Sequence, residues 1–356
     1  MIVHGALDHA ELAHWGIAAE TLIDFSSNLN PFGPPAGVRA ALAALDPAPY
    51  PDRSCYHLRT SLALRHSCAP AQILVGNGGN ELIHLIARAL LSFGDTVLVI
   101  GPTFGEYTHA SQLAGAIVEE WRASEEAHFN LHIEAIERQI RALRPRLTWL
   151  CVPNNPTGID LTPAQIITLC ECCEANGGML VVDRAYAGFV QATYPLREPL
   201  DHAPAGLLRL YSLTKSYAIA GLRLGYLIGT EGVISQIARL QPTWSVNSAA
   251  LAAGAAALSD SDFLPITMSQ LWASSDQLYH GLAALGFAVH RTALPFMLVR
   301  SGDATTTRMA LLRRGCVVRD ATSFGLPAWV RIAPRHPDEN QTLLRVWKEI
   351  LCPPQS

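Results

Sequence analysis

A single lysine stands inside an otherwise mostly apolar stretch, residues 210–226, which reads LYSLTKSYAIAGLRLGY. Burying an ammonium group is costly, and desolvated lysines serve as nucleophiles and Schiff-base formers. The hydroxyl groups of Ser212 and Thr214 precede Lys215, and Arg223 follows it, so the stretch also carries donors suited to a phosphate group. Taken alone, Ser-x-Thr-Lys is more typical of an ordinary surface loop. Motifs elsewhere in the chain must therefore decide between a surface loop and a cofactor site.

Other polar residues stand at the ends of apolar runs, and these runs predict strands. The runs are ILVG, TVLVIG, LTWLC, MLVV and LLRLY, followed by one further strand in GLRLGYLIG. Near-continuous apolar strands alternating with helical patterns predict an α/β fold with a mainly parallel sheet and helices on both faces, a three-layer arrangement. Ligands of such sheets bind beyond the carboxyl ends of the strands. We therefore expect the groups that follow these runs to share one site.

Their chemistry matches pyridoxal 5'-phosphate, a cofactor that combines an aldehyde for a lysine with a phosphate group. Asp183 would hold the pyridine nitrogen, Tyr186 and Asn155 the phenolic oxygen, and Phe104 would stack on the ring. The phosphate group is assigned to Gly79, Asn80, Ser212, Thr214 and Arg223. Each residue alone has a structural alternative, such as a helix cap for Asp183 or a core position for Phe104.

Composition excludes several other classes of function. The 356 residues carry a net charge of -4, whereas a nucleic-acid-binding surface is basic. No apolar run approaches the length of a membrane span. The amino terminus shows no signal peptide, so we expect a cytoplasmic enzyme. A lone Cys-x-x-Cys, Cys170 and Cys173, lies in a predicted helix without a second ligand pair, and the histidines are scattered. No metal site is predicted.

The chain divides into three predicted parts. Residues 1–35 form an amino-terminal arm and a substrate loop, and residues 36–235 form a large cofactor-binding domain. In residues 236–356 the pattern of predicted elements changes: helices are followed by four short strands and a closing helix, which predicts a smaller α+β domain.

The order and spelling of the motifs resemble the fold-type I pyridoxal-phosphate enzymes, the aspartate aminotransferase superfamily. The motifs are PNNPTG (153–158), D-x-A-Y (183–186), S-x-T-K (212–215), GLRLGY (221–226) and the arginine of WVRIA. The resemblance implies that Lys215 carries the cofactor and moves the proton, with Asp183 and Tyr186 beside it. It implies that Arg331 binds the acid group of the substrate. Tyr50, or less favourably Tyr56, would reach the phosphate of a neighbouring subunit, which implies a homodimer with shared active sites.

Within this superfamily, the chain is most similar to the pair formed by threonine-phosphate decarboxylases of cobalamin biosynthesis and histidinol-phosphate aminotransferases. Four stretches favour the decarboxylase: HG followed by DFSSNLNPFGPP (24–35), YPDRSCYHLR (50–59), PTWSVNSAA (242–250) and VRDATSFGLP (318–327). Two departures are Ala6, where these families commonly have glycine, and Arg184, where an acidic residue is usual. The resemblance implies a set of candidate substrate-binding residues: Ser26, Asn28, Asn30, Asn155, Asn247, Arg319 and Arg331. Which arginine would take phosphate and which carboxylate stays open.

The sequence therefore predicts decarboxylation of O-phospho-L-threonine to (R)-1-aminopropan-2-yl phosphate and CO2. The alternative is an aminotransferase acting on histidinol phosphate or a similar amino acid. The two reactions differ in which bond at Cα stands perpendicular to the cofactor ring, so the catalytic core does not discriminate between them. A pyridoxal-dependent regulatory protein is disfavoured because the first 30 residues are too short for a partner-binding module. A preference for phosphothreonine over phosphoserine is not predictable, since one methyl group contributes only about 1–3 kcal/mol.

Overall fold

A seven-stranded sheet forms the centre of the computed structural model, which describes residues 5–190 and 204–352. The strands of the chain are β1 Ile23–Asp24, β2 Ile73–Gly76, β3 Thr96–Gly101, β4 Ile117–Arg122, β5 Leu147–Cys151, β6 Met179–Asp183, β7 Leu207–Ser212, β8 Gly225–Ile228, β9 Val289–His290, β10 Met297–Arg300, β11 Cys316–Val317, β12 Arg319–Asp320 and β13 Trp329–Ile332. The helices are α1 His9–Trp15, α2 Ala36–Ala43, α3 Tyr56–His66, α4 Gly78–Leu90, α5 Glu106–Leu113, α6 Ile133–Leu143, α7 Pro163–Ala175, α8 Glu231–Ala238, α9 Ser248–Ser259, α10 Phe263–Ala284, α11 Ala304–Leu312 and α12 Pro337–Leu351.

The strand order of the central sheet is β2-β8-β7-β6-β5-β3-β4. Strands β7, β6, β5, β3 and β4 pair in parallel, whereas β8 runs antiparallel to both of its neighbours, β2 and β7. The prediction of a mainly parallel sheet is confirmed. Because β8 is reversed, its first residue lies at the same edge as the last residues of the parallel strands.

Alternation of side chains along each strand creates two apolar layers. In β3, Val97 and Val99 pack into the core under α4 and α5, whereas Leu98 and Ile100 pack into the core under α6 and α7. Strands buried on both faces need apolar residues at every position, which explains their continuous apolar runs.

The cysteine-bearing helix α7 has clear end signals. Thr162 caps it through a reciprocal pair of hydrogen bonds with Gln165, and Pro163 occupies its first position. Cys170 and Cys173 are buried on its inner side, and burial raises the pKa of Cys173 to about 11. These thiols are therefore packing groups. Within the described residues, no cluster of three potential metal ligands occurs, and no helix there has the length and apolarity of a membrane span.

A second, antiparallel sheet has the order β12-β13-β10-β9 and lies in the carboxyl-terminal part of the chain. The amino-terminal strand β1 pairs in parallel with β11, and Phe25 packs into the same core as Val330 and Ile332. The backbone N–H of Ala333 donates to the carbonyl oxygen of Phe25. The loop that begins at Ser26 is thereby held at the junction between the small sheet and the large one.

Candidate active site

The ends of five central strands, together with the loop after β1, enclose a cavity of about 300 Å³. It collects most of the side chains predicted from the sequence. Those that line it are Ser26, Asn28, Gly79, Asn80, Phe104, Asn155, Asp183, Tyr186, Ser212, Thr214, Lys215, Arg223 and Arg331. These residues thus lie together at the carboxyl edge of the sheet.

Lys215 lies three residues beyond the end of β7 and is half-buried. Its Nζ atom is 5.0 Å from the centre of the Tyr186 ring. Its own carbonyl oxygen accepts hydrogen bonds from the backbone N–H groups of Asn30 (3.0 Å) and Ala218 (3.2 Å). The backbone of the lysine is thus fixed on two sides, while its amine faces the cavity.

Asp183 is the last residue of β6, and its carboxylate is buried at the bottom of the cavity. One oxygen accepts from the backbone N–H of Ala185 (2.8 Å) and the other from the hydroxyl group of Tyr107 (2.6 Å). Burial raises the pKa of Asp183, although the charge of Lys215 and the Tyr107 hydrogen bond act in the opposite direction. The carboxylate therefore lacks a cationic partner strong enough to offset its desolvation. A protonated pyridine nitrogen is such a partner.

Tyr107 lines the cavity but is not among the site residues predicted from the sequence. It is fully buried in the first turn of α5, where its ring stacks on Trp149 at 5.0 Å and 12°. Burial and the neighbouring charge of Asp183 raise the pKa of Tyr107 well above its usual range, so the hydroxyl group remains a donor. Its position three residues after Phe104 was the available signal.

A polar cradle lies where β7, β8 and the amino end of α4 meet. The hydroxyl groups of Ser212 and Thr214 are 2.6 Å apart, and Arg223 projects from a left-handed backbone position at φ 60°. A Cβ atom at Gly225 would lie 2.9 Å from the Tyr211 carbonyl oxygen and 3.0 Å from the Gly79 nitrogen. Only glycine allows this close approach. The start of a 13-residue helix beside two hydroxyls and a guanidinium has the donors that a phosphate dianion needs.

Arg223 reaches this cradle from the beginning of a strand. The sequence predicts that it lies within the strand GLRLGYLIG, but β8 begins at Gly225, so Arg223 precedes it. The reversed direction of β8 brings its beginning to the same edge.

Arg331, in β13, is buried with 4% of its surface exposed. Its two terminal nitrogens donate to the side-chain oxygen of Asn155 (2.5 Å) and to the carbonyl oxygen of Ser26 (2.5 Å). Both acceptors are neutral, and no carboxylate forms a salt bridge with it within the described ranges. Burial accordingly lowers the pKa of Arg331. A buried guanidinium held by neutral oxygens at a cavity wall is suited to an anionic ligand.

Three predicted substrate residues do not line the cavity. Asn30 donates to the Ser216 carbonyl oxygen (2.9 Å), and Asn247 caps α9 by accepting from the Ala250 N–H (2.7 Å). Both amides are therefore occupied by structural hydrogen bonds, and the N-S-A-A spelling after residue 246 was a readable cap signal. Arg319 is buried beside Arg331 in the sheet register and donates to Ser323 (2.6 Å).

Tyr50 also lies outside this chain's cavity. It is 79% exposed and stacks on Trp244 at 4.6 Å. Its competitor Tyr56 is exposed as well, at the start of α3. Neither aromatic ring can touch a ligand in the cavity of its own chain.

The cavity residues fit pyridoxal 5'-phosphate, because each chemical group of the cofactor has a matching partner. Asp183 suits the ring nitrogen, the Ser212–Thr214 cradle suits the phosphate, and Lys215 suits the aldehyde. Residues 20–346 match the family model described as aminotransferase class I and II. The chain belongs to this family. Pyridoxal phosphate is accordingly its cofactor.

Known relatives agree on the fold and differ in their named activities. The chain is 34% identical to histidinol-phosphate aminotransferase 1 of Thiobacillus denitrificans over 95% of its own length and 87% of that protein. The structure of histidinol-phosphate aminotransferase from Sinorhizobium meliloti in complex with pyridoxal 5'-phosphate has a TM-score of 0.86, with 21% identity, 98% of this chain and 95% of that chain covered. The L-threonine-O-3-phosphate decarboxylase of Porphyromonas gingivalis gives a TM-score of 0.80, with 26% identity, 92% of this chain and 98% of that chain covered.

The prediction of a threonine-phosphate decarboxylase is wrong, because relatives 33–34% identical over at least 94% of the chain are named histidinol-phosphate aminotransferase. Two candidate residues from the stretches that favoured the decarboxylase, 242–250 and 318–327, do not line the cavity. Asn247 caps a helix, and Arg319 lies across from Arg331 on the neighbouring strand. His4, from the first stretch, lies outside the described residues.

Proposed function

We propose that this protein is a pyridoxal-phosphate-dependent aminotransferase that moves the amino group of histidinol phosphate, or of a similar phosphorylated amine, to a 2-oxo acid. In the net reaction, the donor amine becomes a carbonyl compound and the oxo acid becomes an amino acid. The observation that carries the proposal is the 34% identity over 95% of this chain to a protein named histidinol-phosphate aminotransferase.

When bound, pyridoxal phosphate supplies an aldehyde that condenses with amines and a ring that withdraws electrons from Cα. The residues of the chain then have distinct tasks. Lys215 holds the cofactor and moves the proton at Cα of the substrate, since its amine faces the cavity on a fixed backbone. Asp183 keeps the ring nitrogen protonated. Tyr186 and Asn155 would donate to the phenolic oxygen of the cofactor, and Phe104 would cover one face of its ring.

The arginine pair supports a phosphate group as the anion recognised. Histidinol phosphate has a phosphate ester in place of the carboxylate of an amino acid, so its acid group is a dianion. Arg331 lines the cavity, and Arg319 is its cross-strand partner, both less than 6% exposed. Burial, and next the charge of Arg331, lower the pKa of Arg319 to about 10. Two adjacent buried cations stabilise a dianion more than a monoanion. We assign the substrate phosphate to Arg331, with Arg319 beside it on the neighbouring strand.

A homodimer with shared sites is part of the proposal. Tyr50 and Trp244 form an exposed stacked pair, an unusual use of large aromatic rings unless a partner covers them. In the proposed dimer, Tyr50 reaches the cofactor phosphate of the other subunit. The proposed division of each subunit keeps residues 1–35, 36–235 and 236–356 as arm, large domain and small domain.

The test is a steady-state assay of the cofactor-loaded protein with L-histidinol phosphate and 2-oxoglutarate. Formation of glutamate that depends on both reactants is the expected result, and Lys215→Ala should abolish it. Phosphothreonine and free histidinol serve as competing donors, of which free histidinol lacks only the phosphate. Equal rates with histidinol and histidinol phosphate would contradict the assignment of the arginine pair, and absence of glutamate with every phosphorylated amine would contradict the proposed reaction.

A further inference from the structure

The side chain of Asn28 lies against the hydroxyl group of Tyr186 in the wall of the cavity. Its amide nitrogen is 3.3 Å from the Tyr186 oxygen, and the two residues are 7% and 6% exposed. An N–H group that donates to a hydroxyl oxygen uses one of its lone pairs and leaves the hydroxyl proton free to be donated elsewhere. Asn28 thereby sets the direction in which Tyr186 donates.

The open direction is toward the cofactor. In the part of the chain that the structure describes, no other side chain hydrogen-bonds to the Tyr186 hydroxyl group. Lys215, which carries the cofactor, has its amine 5.0 Å from the Tyr186 ring centre. The phenolic oxygen of the cofactor lies next to the carbon that reacts with this amine, so it falls within the region that Tyr186 faces.

The position of Asn28 is set by the lysine segment itself. Two residues further along the loop, Asn30 donates through its backbone N–H to the carbonyl oxygen of Lys215 (3.0 Å) and through its side chain to that of Ser216 (2.9 Å). The remaining amide atom of Asn28, its oxygen, is buried without a hydrogen-bond partner among the described residues. A buried, half-satisfied amide costs stability, which a position with a purely structural role would avoid.

We propose that Asn28 is a positioning residue that aims the Tyr186 hydroxyl proton at the phenolic oxygen of pyridoxal phosphate. A hydrogen bond to this oxygen withdraws negative charge from it. The nearby nitrogen of the lysine–cofactor linkage then holds its proton less firmly, so the linkage deprotonates at a lower pH. Asn28 thus favours the unprotonated resting form. The inference rests on cofactor binding, which the family establishes, and not on the identity of the substrate.

The test is a spectrophotometric pH titration of the cofactor-loaded protein without substrate. Asn28→Leu keeps the branched side-chain shape and removes the donor. We expect the midpoint to rise by about 0.5–1 pH unit, the equivalent of one ordinary hydrogen bond. Tyr186→Phe should raise it at least as far. The double variant should show no further rise beyond Tyr186→Phe, because Asn28 acts through the Tyr186 hydroxyl group.

Several outcomes would overturn the inference. An unchanged midpoint in Asn28→Leu would mean that the amide does not influence Tyr186, and a lowered midpoint would mean that Tyr186 donates to Asn28 instead. A shift that persists in the Tyr186→Phe background would show an effect by another route. Ser27→Ala is the matched control, since the Ser27 hydroxyl lies on the same loop but donates to Asp24 (2.5 Å). Circular dichroism and cofactor stoichiometry verify that each variant is folded and loaded, and the absence of substrate keeps this test separate from that of the proposed function.

Discussion

Replacing Tyr107 with phenylalanine removes the hydroxyl group that donates to Asp183 and keeps the ring that stacks on Trp149. The lost bond is a 2.6 Å contact to a buried carboxylate. Hydrogen bonds to charged groups contribute about 1.5–3 kcal/mol, whereas neutral ones contribute about 0.5–1.5 kcal/mol. We therefore expect the free energy of unfolding of the cofactor-free protein to fall by about 1.5–3 kcal/mol where Asp183 is ionised, and by less where it is protonated.

The sign of the pH dependence follows from the direction of the pKa shift. Burial raises the pKa of Asp183 above its ordinary 3.8 in the folded protein, so stability falls as the pH rises through the folded value. The Tyr107 hydrogen bond lowers this pKa, and its loss raises it further. Stability then falls over a wider pH range in the variant, and the difference between the two proteins grows from acidic to neutral pH.

The assay is urea denaturation of the cofactor-free protein at pH 5 and pH 8, followed by tryptophan fluorescence. Tyr226→Phe is the matched control because this tyrosine is also buried and stacked, but its hydroxyl contacts His66 (2.9 Å) rather than a carboxylate. It should cost only about 0.5–1.5 kcal/mol at pH 8 and leave cofactor retention unchanged. A Tyr107→Phe penalty that is equal at both pH values, or smaller than that of the control, would refute the reasoning.

Three further substitutions test the remaining parts of the site. Gly225→Ala should weaken binding of the cofactor phosphate, because the added methyl group would lie 2.9 and 3.0 Å from fixed backbone atoms. Fluorescence titration with pyridoxal phosphate measures this loss. Gly221→Ala is the control and should bind the cofactor normally, since a methyl group there meets no atom within 4 Å. Arg331→Leu removes a buried cation and should raise KM for histidinol phosphate by about 30-fold or more, since loss of a buried charge partner costs at least about 2 kcal/mol. The absorbance of the bound cofactor should be retained. An unchanged KM would exclude Arg331 from substrate binding. Asp183→Asn should raise the melting temperature of the cofactor-free protein at pH 8, because ionising the wild-type carboxyl group costs stability as the pH rises through its elevated pKa. The same variant should bind the cofactor more weakly. A lower melting temperature at pH 8 would contradict this.

The mainly parallel sheet, and the edge at which the polar residues gather, could be predicted because burial of the strands determines their sequence pattern. Strands buried on both faces must be apolar throughout, so polar residues such as Asp183 and Lys215 stand out where the runs end. The parallel sheet then brings these ends together. The motif arginine of WVRIA also reached the cavity, although its pairing with the Ser26 carbonyl oxygen depends on β1 joining the distant β11, which no local pattern indicates.

Side-chain direction was the main limit of prediction. Asn30 and Asn247 carry the same amide as Asn28, yet two of the three bond to backbone groups and only Asn28 lines the cavity. Sequence spacing does not encode these orientations, except for the cap signal after residue 246. Tyr107 gave only a weak signal, its closeness to Phe104, since an aromatic residue near a helix start is typical of a core position.

The choice between decarboxylation and amino transfer was beyond the reach of the catalytic residues. Lys215 and Asp183 serve both reactions, and the stretches that favoured decarboxylation proved in part to carry structural groups, the Asn247 helix cap among them. Under the proposed function, discrimination lies in which anion Arg331 receives and how that anion orients the bonds at Cα.

One measurement addresses the central claim directly. The cofactor-loaded protein is mixed with L-histidinol phosphate in the absence of any oxo acid, and the absorbance of the cofactor is followed together with the carbonyl product. An aminotransferase should convert the cofactor once to its amine form, release one equivalent of carbonyl product per site, and recover its original spectrum when 2-oxoglutarate is added. An unchanged spectrum at saturating histidinol phosphate, or a change that 2-oxoglutarate does not reverse, would contradict the proposed function.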